Sequence, residues 1–213
     1  MLKISYLKTG VSRKRVLSEV TAIKKENPAY RVIDIGGDAI GWSAPIVDMV
    51  VDINSEPSDK TMKFDICKVS EWDRLLERVA RDGLYDYAIC THTLEDVYNP
   101  FTALELLPKI ARAGIITMPS FITELSRIES KSYLGFIHHR WIFDKEGDEM
   151  LVVPKLSMLE TLVEDTIKQD LDRDEICYEW EGSIEYCHFM NNFLGPHNYA
   201  VINEYTKFVT DRI

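Results

Sequence analysis

Two spacings of apolar residues alternate along the first 120 positions of the chain. Short continuous apolar runs predict buried strands, at 31–35, 48–53, 63–66, 86–92 and 114–120. Apolar positions three and four residues apart predict amphipathic helices, at 16–25, 71–83 and 99–114. Strands that alternate with helices predict parallel strands joined by right-handed crossovers. The pattern therefore indicates an α/β fold with a doubly wound, mostly parallel sheet and helices on both faces.

The regular alternation ends at Ser120. The segments "GFIHHRWIF" (135–143) and "EMLVVPK" (149–155) flank a turn that contains Gly147, which predicts an antiparallel hairpin inserted after the fifth strand. A helix is predicted over 158–168. The segments "EICYEWEG", "IEYCHFM" and "NYAVINEYTKFV" are rich in tyrosine and β-branched residues, and they predict strands at the C-terminal end, including an antiparallel one.

The length of 213 residues and a hydrophobic content of 46% favour one domain with a sizeable core. Within it we distinguish four parts by pattern. They are an N-terminal helical cap (1–29), a ligand-binding half (30–120), an insertion (121–156) and a C-terminal helix with strands (157–213).

The net negative charge of the chain limits which binding partners are expected. The chain has 35 acidic and 25 basic residues, and its net charge of -10 repels a phosphate backbone, so no nucleic-acid partner is expected. The basic stretch at 8–25 is interpreted as a solvated helix face. No apolar run approaches the ~18 residues of a membrane span. The four cysteines form no C-x-x-C pair and predict mostly buried, reduced thiols of a cytoplasmic protein.

The stretch "YRVIDIGGDAIGWS" (30–43) breaks from a strand into glycines. Ligands of open α/β sheets bind beyond the carboxyl ends of the strands, and glycine lets a backbone approach a ligand closely. Asp34, Asp52, Asp65 and His92 close the first four predicted strands. An acid after the second strand suits ribose hydroxyls, and one after the third suits the amine of adenine. The set predicts an adenosine site, and the absence of G-K-[ST] excludes a P-loop.

Two adenosine cofactors fit this pattern. The dinucleotide fingerprint G-x-G-x-x-G falls on Gly36, Asp38 and Gly41, so a carboxylate replaces the glycine that faces the pyrophosphate. Two like charges ~4 Å apart repel by about 4 kcal/mol at an effective dielectric constant of about 20. Asp38 therefore favours S-adenosylmethionine, which carries a sulfonium and an ammonium group, and disfavours NAD.

Five segments in order resemble the class I S-adenosylmethionine-dependent methyltransferases, over roughly 30–120: "VIDIGGDAIG", "VVDIN", "FDICKVSEW", "LYDYAICTHTLEDVYNPFTALELLPKI" and "GIITMPS". The run "THTLEDVYNPFTALELL" is similar to the S-H-x-L-E-H motif of the small-molecule, methyltransferase-11-like branch. The resemblance implies a Rossmann-like fold and methyl transfer. Asp38 in the glycine loop and Asp96, where a histidine is usual, depart from the family pattern.

The resemblance also implies roles for individual positions. Those expected to bind the cofactor are Asp34, Gly36, Gly37 and Asp38 at its methionine end, Asp52 and Ile53 at the ribose, Asp65 and Ile66 at the adenine, and Thr91 and His92 at the methyl group. Those expected to bind substrate lie in the insertion, at Glu124, Arg127, Tyr133, Arg140 and Trp141. Arg127 or Arg140 would anchor an anionic group.

Histidines are the candidate catalytic bases, because their pKa is close to neutral pH. His92, His138 or His139 would take a proton from the acceptor. On a strand, His138 and Arg140 would point to one face and His139 and Trp141 to the other, so only one of the two adjacent histidines would face the cofactor. No third ligand stands at a diagnostic spacing, and no metal site is expected.

The hypothesis is methyl transfer to a small-molecule or sugar-like acceptor, since no N-P-P-Y run marks amide or base methylation. Two alternatives stay open. One is a non-catalytic member that binds a nucleoside or a partner, and the other is an NAD-dependent oxidoreductase. A homodimer through the C-terminal strands or the N-terminal helix also stays open.

Overall fold

A computed structural model describes residues 2–163, 167–189 and 198–212. The strands in these residues are β1 (Lys3–Leu7), β2 (Val32–Ile35), β3 (Met49–Val51), β4 (Thr61–Met62), β5 (Tyr85–Thr91), β6 (Ala111–Pro119), β7 (Trp141–Glu146), β8 (Glu149–Pro154), β9 (Glu175–Glu181) and β10 (Tyr186–His188). The helices are α1 (Val11–Glu26), α2 (Asp73–Asp82), α3 (Phe101–Ile110), α4 (Phe121–Glu124), α5 (Leu159–Leu162) and α6 (Asn198–Thr210), with a 3-10 turn at Val69–Glu71.

The larger sheet has seven strands in the order β1-β9-β6-β5-β2-β3-β4. Strands β2 to β6 are mutually parallel. The direction of winding reverses between β2 and β5, which is the switch point of a doubly wound, Rossmann-like sheet. Strand β9 pairs antiparallel with β6, so the predicted fold class and its antiparallel C-terminal strand are confirmed. Strand β1 was not predicted, and it pairs antiparallel with β9 at the edge of the sheet.

Helices cover both faces of the larger sheet, because the strand residues that point to each face are apolar. Val32 packs with Val16 and Val20 of α1 on one face. Ile33 packs on the other face with α2 and α3, where Trp72 and Leu75 are fully buried. Continuous apolar strands are typical of parallel sheets covered on both sides.

The predicted hairpin is confirmed as β7 and β8, which pair antiparallel around Gly147. The backbone of Gly147 is left-handed, with φ +61°. Strand β10 pairs parallel with β8 and completes a second sheet of three strands. Strand β7 begins only at Trp141, so the preceding residues of the "GFIHHRW" run lie outside the hairpin.

Several predicted boundaries were wrong. The third strand is Thr61–Met62 rather than 63–66, and α3 ends at Ile110 because Ala111 already pairs with Tyr85 of β5. Helix α5 ends at Leu162 in place of 168, and residues 164–166 lie outside the described residues.

Residues 198–210 form helix α6 where a strand was predicted. Helical spacing places Tyr205, Phe208 and Val209 on one buried face, and they pack with the outer face of the hairpin strands. The spacing of these apolar positions outweighs the β propensity of the individual residues.

The cysteines match the prediction of mostly buried, free thiols. Cys67, Cys90 and Cys177 are buried, and Cys187 is half-buried. None of the helices in the described residues has both the length and the apolar character of a membrane-spanning segment.

Candidate functional site

A cavity of about 370 Å³ lies at the edge of the sheet where the parallel strands end. Strand β9 runs the opposite way and therefore begins at this edge. The side chains around the cavity come from the ends of β1, β5 and β6, from α4 and from three loops. They are Thr9, His92, Glu95, Asp96, Pro119, Thr123, Phe136, His138, His139, Gln169 and Asp174. All three histidines that the sequence nominated therefore reach one cavity.

His92 directly follows β5 and has a left-handed backbone, with φ 51°. Its Nε2 lies 2.9 Å from Oε2 of Glu175, and its Nδ1 lies 3.5 Å from Oε1 of Glu95. Burial disfavours the imidazolium, but the two carboxylates outweigh burial and raise the pKa of His92 to about 9. His92 is therefore protonated at neutral pH and is poorly suited to act as a base.

Glu95 is 1% exposed, and burial raises its pKa above the usual range, opposed by His92. Its Oε1 faces His92, and its Oε2 has no hydrogen-bond partner among the described residues. The backbone carbonyl of Glu95 accepts hydrogen bonds from the N–H groups of Arg140 and Trp141, at 2.7 and 3.2 Å. These bonds attach the insertion to the end of β5.

His138 and His139 do not diverge as the strand hypothesis required, because Ile137 and His138 form a turn that the N–H of His139 closes onto the carbonyl of Phe136. Nε2 of His138 and Nε2 of His139 lie 3.7 and 3.6 Å from the same Oδ1 of Asp96. His139 is 7% exposed, and its Nδ1 lies 2.6 Å from Oε1 of the buried Glu124. Lys155 Nζ contacts the other oxygen of Glu124 at 2.6 Å. The expected alternation of these two histidines along a strand is wrong, and both side chains line the cavity.

The other nominated residues of the insertion make supporting contacts. Arg127 forms an ion pair with Glu160 at 2.9 Å, and Tyr133 donates to Glu129 at 2.9 Å. Trp141 donates from Nε1 to the carbonyl of Val97 at 2.8 Å. Arg140 is exposed, and none of Arg127, Tyr133, Arg140 and Trp141 is among the described side chains around the cavity. Substrate contact by these four residues stays a prediction.

The glycine turn packs tightly against the end of β5. Gly36 is left-handed, with φ +77°, and a Cβ there would lie 2.2 Å from the side chain of Thr93. A Cβ on Gly37 would lie 2.2 Å from the carboxylate of Asp34. Only glycine fits at these positions, and Thr93 links the turn to the segment that carries His92.

The carboxylate of Asp34 is enclosed beneath this turn. One oxygen accepts a hydrogen bond from Ser43, and Oδ1 has no partner among the described residues. Burial raises the pKa of Asp34 to about 6, against the lowering effect of Ser43. The exposed Asp38 instead accepts a hydrogen bond from the N–H of Ile40 at 3.0 Å, within its own loop.

The remaining nominated acids follow the next two strands. Asp52 comes directly after β3 and accepts from the N–H of Asn54 at 2.7 Å, while the neighbouring Ile53 is 53% exposed. Asp65 comes three residues after β4 and accepts from the N–H of Cys67 at 3.0 Å.

The last two residues predicted to bind the cofactor, Ile66 and Thr91, take part in hydrogen bonding through their backbone. The carbonyl of the buried Ile66 accepts from Nε1 of Trp72 at 2.9 Å. Thr91 is the last residue of β5, and it pairs with Thr117 of β6.

Sequence reasoning missed part of the cavity. Glu95 and Asp96 stand in the "THTLED" run next to His92 and were visible as a polar group after a strand. Asp174 precedes β9 and Glu175 is its first residue. Neither carries a local signal, because only the antiparallel pairing of β9 with β6 brings Asp174 to the cavity and Glu175 to His92.

No protein-family model matches the chain, and no curated protein matches it. Two solved structures are distantly similar to this chain. The methyltransferase domain of bacterial CtHen1-CN is 14% identical, with a TM-score of 0.40, and the match covers 81% of this chain and 100% of that one. The N-terminal domain of EvdMO1, solved with SAH bound, is 11% identical, with a TM-score of 0.37, over 78% of this chain and 80% of that one. TM-scores this low assign the chain to neither family.

Proposed function

We propose that this protein is an S-adenosylmethionine-dependent methyltransferase that acts on a hydroxyl group of a neutral small or sugar-like molecule. The observation that carries the proposal is the row of Asp34, Asp52 and Asp65. Asp34 is next to last in β2, and Asp52 and Asp65 follow β3 and β4, the next two strands of a doubly wound sheet. The same edge holds the cavity, and the sequence motifs between 30 and 120 support the same cofactor.

The residues present fit this cofactor. The unpartnered Oδ1 of Asp34 and the close-packed Gly36–Gly37 turn would hold the cationic methionine end. Asp52 would accept from the ribose hydroxyls, and the exposed Ile53 offers apolar surface to the adenine ring. Asp65 would accept from the adenine amine. When bound, the cofactor supplies a methyl group activated by the sulfonium.

The chain itself mainly has to hold the acceptor in line with that methyl group. Positioning of this kind can lower a barrier by ~7–11 kcal/mol. His92 would contribute a fixed positive ring, because Glu95 and Glu175 hold it on two sides. His138 and His139 are then the cavity histidines that remain for contact with the acceptor.

The lining of the cavity favours a neutral acceptor. Its described side chains include Glu95, Asp96 and Asp174 but no lysine or arginine. Arg127, the nominated anchor for an anion, is already paired with Glu160. A volume of about 370 Å³ suits a small molecule. Acceptors with several hydroxyl groups are therefore expected to bind better than carboxylates or phosphates.

Thermal unfolding with S-adenosylmethionine, S-adenosylhomocysteine or NAD tests the proposal. A ligand at ~100 times its Kd stabilises a folded protein by ~2.7 kcal/mol, which raises the Tm of a chain of this size by roughly 5–11 °C. We expect this rise with the first two ligands only. Asp52→Asn should reduce the rise at fixed ligand concentration, whereas Asp59→Asn, an exposed aspartate of the same loop, should leave it intact.

Stabilisation by NAD alone would contradict the proposal and would indicate an NAD-dependent oxidoreductase. If S-adenosylmethionine binds but no methyl group is transferred to any of a panel of hydroxylated acceptors, the non-catalytic binding protein is the better description.

A further inference from the structure

Asp96, His138 and His139 form a cluster that the cofactor site does not explain. One ligand atom of each lies within 4.8 Å of the other two. The two Nε2 atoms are 3.7 and 3.6 Å from Oδ1 of Asp96, which is too long for a good hydrogen bond. Two atoms that each lie about 2.1 Å from one tetrahedral ion are about 3.4 Å apart. The two distances to Asp96 are therefore close to those between ligands of a shared metal ion.

The environment of His139 fixes its ring for metal binding. Glu124 is 1% exposed and forms an ion pair with Lys155, so its Oε1 accepts a hydrogen bond from the Nδ1–H group of His139 at 2.6 Å. The lone pair of His139 is then on Nε2, which is the atom that faces Asp96. A buried carboxylate behind a histidine is the usual support of a metal-binding imidazole.

A second observation supports a cation in the same cavity, namely the unpartnered carboxylate oxygen of Glu95. Glu95 is 1% exposed, lines the cavity, and has an oxygen, Oε2, without a partner among the described residues. A buried carboxylate oxygen left unpaired is costly unless a cation or a donor completes it. Asp96 and His138 keep 44% and 59% of their side chains exposed, so an ion held by the cluster would stay open to the cavity.

We propose that Asp96, His138 and His139 bind a divalent first-row transition-metal ion of the Zn²⁺ or Co²⁺ type. Two imidazoles favour these ions over Mg²⁺ and Ca²⁺, which prefer oxygen ligands. Three protein ligands leave a position toward the cavity for an oxygen ligand. If that ligand is the hydroxyl of a methyl acceptor, the ion would lower its pKa and orient it; this last role alone rests on the proposed function.

Metal titration without any nucleoside tests the site independently of methyl transfer. The whole chain is freed of metal with a chelator and titrated with CoCl₂, followed by calorimetry and by the visible absorption of bound Co²⁺. We expect one ion per chain. His138→Ala and Asp96→Asn should each weaken binding at least tenfold, and Glu124→Gln, which contacts no ion, should weaken it ~10–100-fold. Asp148→Asn, an exposed aspartate of the hairpin turn, should bind as the wild type does.

His138 and Asp96 are exposed, so their variants should unfold at the wild-type temperature in chelator, which separates loss of the site from loss of the fold. Equal Co²⁺ affinity of wild type, His138→Ala and Asp96→Asn would overturn the proposal. So would tighter binding of MgCl₂ than of CoCl₂. If Co²⁺ binds as expected but S-adenosylmethionine does not, the metal site stands and the methyltransferase proposal fails.

Discussion

His92 Nε2 and Glu175 Oε2 are hydrogen-bonded at 2.9 Å across 83 positions of the sequence. The bond joins the end of β5 to the start of β9 at the mouth of the cavity. Glu95 approaches the other ring nitrogen at 3.5 Å, and Ser12 of α1 donates to the second oxygen of Glu175 at 2.5 Å. The imidazolium thus connects the end of β5 to β9 as well as lining the site, and Glu175 extends the connection to α1.

The raised pKa of His92 predicts a pH dependence of stability. The pKa is about 9 in the folded protein against 6.5 for a free imidazole, so the stabilisation is complete below pH 6.5 and is lost as pH rises through 9. We expect the free energy of unfolding of wild type to fall by up to about 3 kcal/mol over this range. His92→Asn, which tolerates the left-handed backbone, should have a flatter profile in urea unfolding between pH 6 and 9. Parallel profiles of the two proteins would contradict this.

Asp34→Asn should separate stability from cofactor binding. The folded pKa of Asp34 is raised from 3.8 to about 6, so the ionised carboxylate destabilises the fold increasingly as pH rises from 3.8 to 6, and fully above. At pH 7.5 the amide should raise the free energy of unfolding by up to about 3 kcal/mol, and by less at pH 5. S-adenosylmethionine should bind more weakly, as measured by calorimetry. Asp38→Asn, an exposed neighbour, serves as control, and an Asp34→Asn variant that is less stable at pH 7.5 would refute the prediction.

Gly36→Ala should destabilise the fold and distort the glycine turn. The alanine would keep φ +77°, and its Cβ would lie 2.2 Å from the side chain of Thr93. Gly147→Ala is the matched control, because its φ is +61° and nothing lies within 4 Å of the added Cβ. Left-handed backbone alone costs roughly 1–2 kcal/mol. In chemical denaturation Gly36→Ala should therefore lose at least about 1 kcal/mol more than Gly147→Ala. Equal losses would show that Thr93 moves aside freely.

Arg212→Met should destabilise the protein strongly, because it leaves a buried charge unpaired. Asp144 is 3% exposed and accepts hydrogen bonds from Arg212 and from the hydroxyl of Tyr6. Removing one partner of such a pair typically costs ~3–5 kcal/mol. Arg112→Met breaks the exposed pair with Asp86, at 3.5 Å, and should cost less than about 1 kcal/mol. Similar Tm values for the two variants would contradict the expected difference.

The apolar pattern was sufficient for the parallel core of the fold. Strands buried on both faces must be continuously apolar, and the helices between them must be amphipathic, so β2, β3, β5 and β6 were located from local sequence. Their order, with β5 on the side of β2 opposite β3, came from the structure. The glycine turn and Asp52 were also visible, because strand ends are marked by the change from apolar to polar residues.

Elsewhere the prediction from local sequence failed, because the apolar pattern was too short or was ambiguous between strand and helix. Strand β1 has only five residues, and its place at the sheet edge depends on pairing with β9, far along the chain. In 198–210 the β-branched and aromatic composition suggested a strand, while the spacing of Val201, Tyr205 and Phe208 fits a helix. Packing of that face against the hairpin decided between them.

By itself the sequence determined the doubly wound class, the acids at the strand ends and the polar character of the insertion, because each depends on neighbours within a few residues. Tertiary structure alone decided which residues line the cavity and which contact its histidines. Glu175 reaches His92 only through antiparallel pairing of β9. His138 and His139 meet Asp96 where the carbonyl of Glu95 accepts hydrogen bonds from the N–H groups of Arg140 and Trp141, just after the turn at 137–138. Such contacts join residues whose separation in sequence carries no periodic signal, so only the folded chain brings them together.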